Sequence, residues 1–244
     1  MKNKKRFFLS TSVAFVFAAA IFLMPQVVVG QDEDDKPIDK SAVAEMGTKA
    51  SDFAPAGWKV EDEIKADVTA DGVADLVIKL IENKPKKEDE MVNRNRALVV
   101  AVSDGKGNYK TAAINDNLLQ CTSCGGAFYG VMDAPADVEV AKGVIIVSEE
   151  SGSRWVSNTT YRFRFDAASG DFVLIGFDYA SRDRAEGSVS SESTNYITNK
   201  RITETGKGKR VTKKTTAIKK TVITLGDISS EELEGGALKR LGLD

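Results

Sequence analysis

The chain has 244 residues, of which 34 are basic, 36 are acidic and two are cysteines, and it contains no histidine. Without histidine, the chain cannot form a Ser-His-Asp or Cys-His nucleophile pair, or a His-ligated zinc, haem or non-haem iron site. With 42% hydrophobic and 29% charged residues, its composition is that of a globular protein rather than a disordered one.

The N-terminus has the three-part pattern of a secretory signal peptide. Residues 2–6 carry four cations, residues 7–24 form an apolar run, and the small residues Val28 and Gly30 precede a cleavage position before Gln31. An uncleaved membrane anchor is the alternative, because the apolar run approaches the length that spans a bilayer. We therefore predict an exported protein, periplasmic or extracellular, with residues 1–30 as its signal peptide.

The charge of the predicted mature chain bears on its partners. Residues 1–30 hold four cations and no anion, so a chain cut after Gly30 keeps 30 of the 34 basic residues and all 36 acidic ones, a net charge of −6. An acidic chain does not favour nucleic acid as a partner. Composition then predicts a flexible acidic spacer over residues 31–50, a single β-rich domain over 51–226 and a C-terminal tail over 227–244.

Short apolar runs separated by turn residues predict a succession of strands. The run 97–102 is wholly apolar, which is typical of a central strand buried on both faces, whereas 159–165 alternates apolar and polar residues. No long stretch shows a helical period, and residues 229–241 favour only a small helical tail. We predict a mainly β, antiparallel fold with little helix, either sandwich-like or an open curved sheet. The predicted strands are 58–66, 76–81, 97–102, 109–113, 143–148, 159–165, 172–177, 196–203 and 218–225.

Residues 67–75 have the spacing of a calcium loop. Oxygen-bearing side chains stand at loop positions 1, 3, 5 and 9, with glycine at position 6. Calcium takes about six to eight oxygen ligands, which alternate residues of a tight loop can supply. A polar β-turn closed by Asp and Gly is the equal alternative. The predicted calcium ligands are Asp67, Thr69, Asp71, Asp75 and the backbone carbonyl of Val73.

The two cysteines, Cys121 and Cys124, are three positions apart and precede two glycines. In an exported chain this spacing predicts a local disulfide that stiffens a turn. A redox-active pair is the alternative, although such a pair needs its first cysteine at a helix N-terminus and no helical pattern follows here. A zinc site would need further soft ligands, which the sequence lacks.

The loop at 67–75 resembles the Asp-rich calcium loops of FG-GAP and VCBS-type β modules, in which a D-x-[DN]-x-D-G-x-x-D run leads into a strand. It departs from that pattern at Thr69, since a hydroxyl is a poorer calcium ligand than a carboxylate. The chain also carries, in order, Gly57-Trp58, this loop, Asn95-Arg96, the turn at 104–109 and Cys121-x-x-Cys-Gly-Gly. This succession of motifs resembles that of a group of exported bacterial proteins of unknown function. The resemblance implies a bacterial periplasmic or secreted protein and implies no activity.

A basic stretch runs from residue 205 to residue 220, with seven cations and no acid. It predicts a patch for an anionic partner such as lipid head groups or polysaccharide, while the lack of interleaved aromatic residues disfavours nucleic acid. A solvated hairpin whose lysines discourage edge-to-edge pairing is the alternative. The cations are Lys207, Lys209, Arg210, Lys213, Lys214, Lys219 and Lys220.

These patterns favour an exported, non-enzymatic β module of unknown ligand, stabilised by calcium and acting in envelope binding or structure. A thiol–disulfide redox protein that uses Cys121 and Cys124 is the alternative. Glu149 and Glu150 do not predict carboxylate catalysis, because neighbouring residues of a strand point to opposite faces.

Overall fold

The computed structural model describes residues 37–85, 92–208 and 210–243. The predicted signal peptide, the first six residues of the predicted spacer and Lys209 lie outside the described residues. The predicted fold class is confirmed: half of the chain is in strands and a tenth is in helix, and the strands form two antiparallel sheets, one of them strongly curled.

The first sheet has five strands and the second has seven. In the five-stranded sheet the spatial order is β1-β5-β4-β3-β2, and the seven-stranded sheet runs β12 to β6 with every strand beside its sequence neighbour. The strands are β1 (Met46–Gly47), β2 (Trp58–Ala66), β3 (Asp75–Glu82), β4 (Arg96–Ser103), β5 (Tyr109–Asn115), β6 (Ala136–Ala141), β7 (Val144–Gly152), β8 (Trp155–Asp166), β9 (Asp171–Asp183), β10 (Ser188–Asn195), β11 (Lys200–Lys207) and β12 (Arg210–Ala217).

The five-stranded sheet is buried on both faces. Leu98 and Val100 of β4 belong to a core cluster shared with the seven-stranded sheet, whereas Ala97 and Val99 belong to a second cluster on the opposite face. Because side chains alternate along a strand, a strand buried on both sides needs apolar residues at every position. The unbroken apolar run of β4 meets this requirement.

The N-terminal segment covers the second face of this sheet. A 3-10 helix at Lys40–Ala42, strand β1 and a 3-10 helix at Ala50–Phe53 follow one another here, and Ile38, Val43 and Phe53 are buried. The flexible spacer expected over 31–50 is therefore packed from Ile38 onward. Its few apolar side chains bury against the outer face of β3 and β4, a long-range contact that local composition does not reveal.

The seven-stranded sheet has an inner face, which looks into the core, and an outer face. Tyr161 and Phe163 of β8 and Phe177 of β9 are buried on the inner face. Helix α1 (Ser230–Leu241) packs there as well, burying Ala237, so the expected tail is a docked element. Ser229 caps its N-terminus and Gly242 ends it in a left-handed conformation. No helix within the described residues is long and apolar enough to span a membrane.

The strand predictions differ from the structure towards the C-terminus. The predicted strand 196–203 covers the turn between β10 and β11 and the first four residues of β11. The predicted strand 218–225 lies beyond the end of β12 apart from one isolated bridge, Val173 to Thr224. No strand is predicted at the positions of β1, β6, β10 and β12. β12 is exposed along its whole length and β10 is rich in serine, so neither shows an apolar period.

Candidate binding site

A groove of about 480 Å³ lies between the inner face of the seven-stranded sheet and the C-terminal end of α1. Strands β8 and β9 form one wall, and the last turn of the helix with the residues after it forms the other. This volume falls within the range of about 300–1,000 Å³ that small-molecule sites occupy. The residues that line the groove are Trp155, Ser157, Tyr179, Ser181, Leu238, Gly242 and Leu243.

Strand register places the polar and aromatic side chains of the groove on one surface. Ser157 pairs with Ser181 across β8 and β9, and Thr159 pairs with Tyr179. Residues that face each other across an antiparallel ladder point to the same side, and so do residues two positions apart. Trp155, two positions before Ser157, therefore faces the groove, and the residue is 47% exposed.

The hydroxyl groups of the groove lie close together. Ser181 and Ser157 lie beside Tyr179, and burial raises the pKa of the Tyr179 phenol, which therefore stays neutral and able to donate. At the mouth, the Arg154 guanidinium lies 5.9 Å from the centre of the Trp155 ring. An aromatic platform thus stands beside a cluster of hydroxyl groups and a cation.

The turn that carries Arg154 is fixed by a buried carboxylate. Arg154 donates to both oxygens of Asp183, at 3.1 and 2.7 Å, and the backbone N–H groups of Ala185 and Glu186 donate to Asp183 as well. The Arg154 guanidinium and these N–H groups lower the pKa of Asp183 to about 2. The β7–β8 and β9–β10 turns are therefore held against each other beside the groove.

Two acids with raised pKa values lie deeper under the helix. Burial raises the pKa of Glu149 to about 8, although the backbone N–H of Gln120 donates to its carboxylate. Burial also raises the pKa of Glu234, which accepts a hydrogen bond of 2.8 Å from the Tyr161 hydroxyl. The charge of Glu234 adds to the increase at Glu149, so the two acids lie near each other.

The structure confirms that Glu149 and Glu150 point to opposite faces. Glu149 points inward, whereas Glu150 accepts hydrogen bonds from the Tyr129 hydroxyl and the Asn158 amide. Glu234 is the acid that comes close to Glu149, and sequence reasoning missed it. Nothing in the sequence shows where a helix 85 residues further along docks, so no local pattern could have found this pair.

The predicted calcium loop is closed by its own hydrogen bonds. Asp75 is fully buried and accepts from the N–H groups of Val68, Thr69 and Ser103 and from the Thr69 hydroxyl. Asp67 accepts from two N–H groups at the loop apex, and Asp71 accepts from the N–H of Val73.

Among the described residues, no group of three or more acidic or cysteine side chains could hold a metal ion. In the loop as folded, the carboxylates of Asp67, Asp71 and Asp75 accept hydrogen bonds from backbone N–H groups. Calcium binding stays a prediction that titration can decide.

Cys121 and Cys124 form a disulfide, with their Cα atoms 5.1 Å apart. Cys121 is buried and Cys124 is exposed, and the described residues that follow form turns rather than a helix. The redox alternative is an untested prediction, for which turnover in an insulin-reduction assay is the direct test. The loop after the disulfide is tied to the β7–β8 turn, since Phe128 N–H donates to the Gly152 carbonyl and Gly152 N–H donates to that of Gly125.

The basic stretch does not form a single patch among the described residues. Lys207 and Arg210 flank the β11–β12 turn, whereas Lys219 and Lys220 follow β12 at the opposite end of the sheet, about 27 Å away at 3.4 Å per residue. Lys213 pairs with Glu204 at 2.5 Å, and Lys214 stands on the other face of the strand.

No family model, curated protein or solved structure matches the chain. The resemblance to FG-GAP and VCBS modules therefore stays a prediction from the motifs alone. What the molecule can do has to be argued from its own surfaces.

Proposed function

We propose that the chain is an exported, non-enzymatic β module that binds a sugar-type ligand in the groove between β8, β9 and the end of α1. The observation that carries the proposal is the half-exposed Trp155 indole beside the hydroxyl groups of Tyr179, Ser157 and Ser181. A sugar ring has an apolar face that can stack on an indole, and its hydroxyl groups can exchange hydrogen bonds with those of the groove.

The lining of the groove supports binding rather than catalysis. None of the seven residues that line it is an acid, a cysteine or a lysine, so a bound ligand would meet no strong acid, base or nucleophile. Export is supported by the pattern of residues 1–30, and the disulfide suits an oxidising compartment. A saccharide ligand in that compartment would give the module a role in binding to, or organising, envelope polymers.

Isothermal calorimetry of the chain from Gln31 onward tests this proposal with a panel of neutral, amino-sugar and uronic-acid oligosaccharides. We expect at least one of them to bind, and Trp155→Ala to weaken that binding at least tenfold, because the stacking surface is lost. Phe128→Ala is the matched control, since Phe128 is an exposed aromatic residue outside the groove. A panel with no binding, or binding unchanged in Trp155→Ala, would contradict the proposal.

A further inference from the structure

Three turns of the seven-stranded sheet lie at one end of it. In an antiparallel meander, alternate turns share an end, so the β7–β8, β9–β10 and β11–β12 turns lie together. The loop after the disulfide joins them, because Phe128 bonds to Gly152 and lies under Arg184, 5.2 Å from the guanidinium to the ring centre. We call residues 127–132, 152–154, 182–189, 207, 208, 210 and 211 the basic rim.

The basic rim is cationic in a chain that is acidic overall. Its described residues include five cations and two acids, Asp183 and Glu186. The acids are occupied: Asp183 pairs with Arg154, and Glu186 pairs with Lys207 at 3.1 Å. The remaining three cations, Arg182, Arg184 and Arg210, form no ion pair with a described carboxylate within 4 Å.

The same end of the molecule exposes large apolar side chains. Phe128 is 47% exposed, Met132 63% and Val211 62%, and Val131 and Val189 are exposed beside them. Phe128 and Met132 lie in the loop that follows the disulfide. Val189 and Val211 pair with Gly206 from the two strands beside it. Exposed apolar side chains that cluster in this way usually contact a partner.

We infer that the basic rim docks on a lipid bilayer with anionic head groups. A bilayer interface accepts apolar side chains at the depth of the head groups and attracts cations to its surface, so it matches both properties of the rim at once. A soluble anionic polymer would satisfy the arginines and leave Phe128, Val131 and Met132 in water. This surface adjoins the sugar groove at Arg154, which lies 5.9 Å from the Trp155 ring, but it shares no lining residue with the groove, and its variants leave Trp155 unchanged.

Co-sedimentation with vesicles tests the inference on the chain from Gln31 onward. This chain lacks the apolar run of 7–24, which would insert by itself, and it keeps both core clusters, whose members all lie beyond residue 37. The probes are vesicles of equimolar phosphatidylglycerol and phosphatidylcholine, and vesicles of phosphatidylcholine alone. We expect binding to the anionic vesicles that weakens as salt is raised, and little binding to the neutral ones.

Two double variants separate the contributions of charge and apolar contact. Arg184→Ser with Arg210→Ser is expected to weaken binding about 25-fold, roughly fivefold for each cation. Phe128→Ser with Met132→Ser is expected to weaken it at least tenfold. The control is Ile197→Ser with Lys220→Ser, an exposed apolar residue and a cation at the opposite end of the sheet, which should leave binding unchanged.

All six side chains lie on the surface, and matching melting temperatures confirm that each variant is folded. The inference is overturned if the anionic vesicles do not bind, or if both rim variants bind as well as the control. It is also overturned if polygalacturonate binds the rim and the Phe128/Met132 variant binds that polymer as well as the parent chain does. That outcome would identify the partner as a soluble polyanion.

Discussion

Arg240 in helix α1 forms a two-point ion pair with Glu192 in strand β10. Its Nε and Nη2 atoms lie 2.6 and 2.7 Å from the two carboxylate oxygens, and the Glu192 side chain is fully buried. Arg201 of β11 forms a second ion pair with this carboxylate, its Nε lying 3.0 Å from the nearer oxygen while it donates a hydrogen bond to the Thr194 hydroxyl. One buried acid therefore joins the end of the helix to the sheet, and it fixes the helical wall of the proposed sugar groove.

This ion pair predicts a specific loss of stability. Removing one partner of a buried pair costs about 3–5 kcal/mol when the other is left alone, but Arg201 would still partner Glu192 here. We therefore expect Arg240→Ala to lower the free energy of unfolding by about 2 kcal/mol in urea denaturation. Lys239→Ala, at an exposed neighbouring position, is the control. Equal stabilities of the two variants would show that the pair does not hold the helix.

Glu149 predicts how stability depends on pH. Because burial raises its pKa to about 8, it binds a proton in the folded chain between pH 4.5 and 8, where it is ionised in the unfolded chain. The folded state therefore binds more protons in that window, and the free energy of unfolding falls as pH rises through it, by at most about 1.4 kcal/mol per pH unit for this group.

We expect Glu149→Gln to reduce that slope, since the amide keeps an oxygen that can accept from Gln120 N–H and has no charge to desolvate. Urea denaturation at pH 5, 6, 7 and 8 measures the slope, because these values lie between the ordinary pKa of Glu149 and its raised pKa in the folded chain. Glu150→Gln on the opposite face is the control for the substitution itself. A variant whose stability declines with pH as steeply as that of the parent chain would refute the assignment to Glu149.

Asp75 is expected to hold its loop by hydrogen bonds alone. Asp75→Asn replaces one accepting oxygen by a donor, so at least one of the buried N–H groups of Val68, Thr69 and Ser103 loses its partner. The expected cost is about 2–3 kcal/mol, equal in EDTA and in millimolar calcium. Asp71→Asn, at an exposed position, should cost little.

Differential scanning calorimetry of the parent chain and of Asp71→Ala, with and without calcium, tests the calcium prediction. If calcium raises the melting temperature of the parent chain and Asp71→Ala abolishes the increase, then the loop binds metal by rearranging its hydrogen bonds. If the melting temperature is the same with and without calcium, the loop is only a turn.

Gly126 should tolerate no side chain. It has a positive φ of 74°, and a Cβ there would lie 2.8 Å from the carbonyl oxygen of Gly152. Gly130, in the same loop, has a similar φ of 58° and open space around it. Alanine at either position carries backbone strain of about 1–2 kcal/mol. If Gly126→Ala lowers the stability to thermal unfolding more than Gly130→Ala does, the difference measures the close contact with the β7–β8 turn. Equal costs would mean that the loop is not held there.

The parts of the fold that sequence predicts are those whose burial is visible locally. The unbroken apolar run of β4 predicts a strand buried on both faces, and the alternation in β8 predicts a strand buried on one face. Both strands are confirmed. Strand β10 reads Ser-Val-Ser-Ser-Glu-Ser-Thr-Asn and shows no apolar face, because its inward Glu192 is buried by ion pairs with a helix 48 residues away.

The groove was beyond prediction for the same reason. Trp155 has a binding surface around it only because α1 docks on the inner face of β8 and β9. Similarly, the rim forms because meander topology brings three distant turns together. Both surfaces depend on long-range docking, which no local pattern in the sequence specifies.

The most direct test of the proposed sugar site is a fluorescence titration of the Trp58→Phe variant. The chain has two tryptophans, so Trp155 becomes the single reporter, and its half-exposed indole emits from a wet environment. With an oligosaccharide that binds in calorimetry, the proposal predicts a saturable blue shift with the same dissociation constant, because the sugar displaces water from the ring. Emission that stays constant while the ligand binds would place the site elsewhere and contradict the proposal.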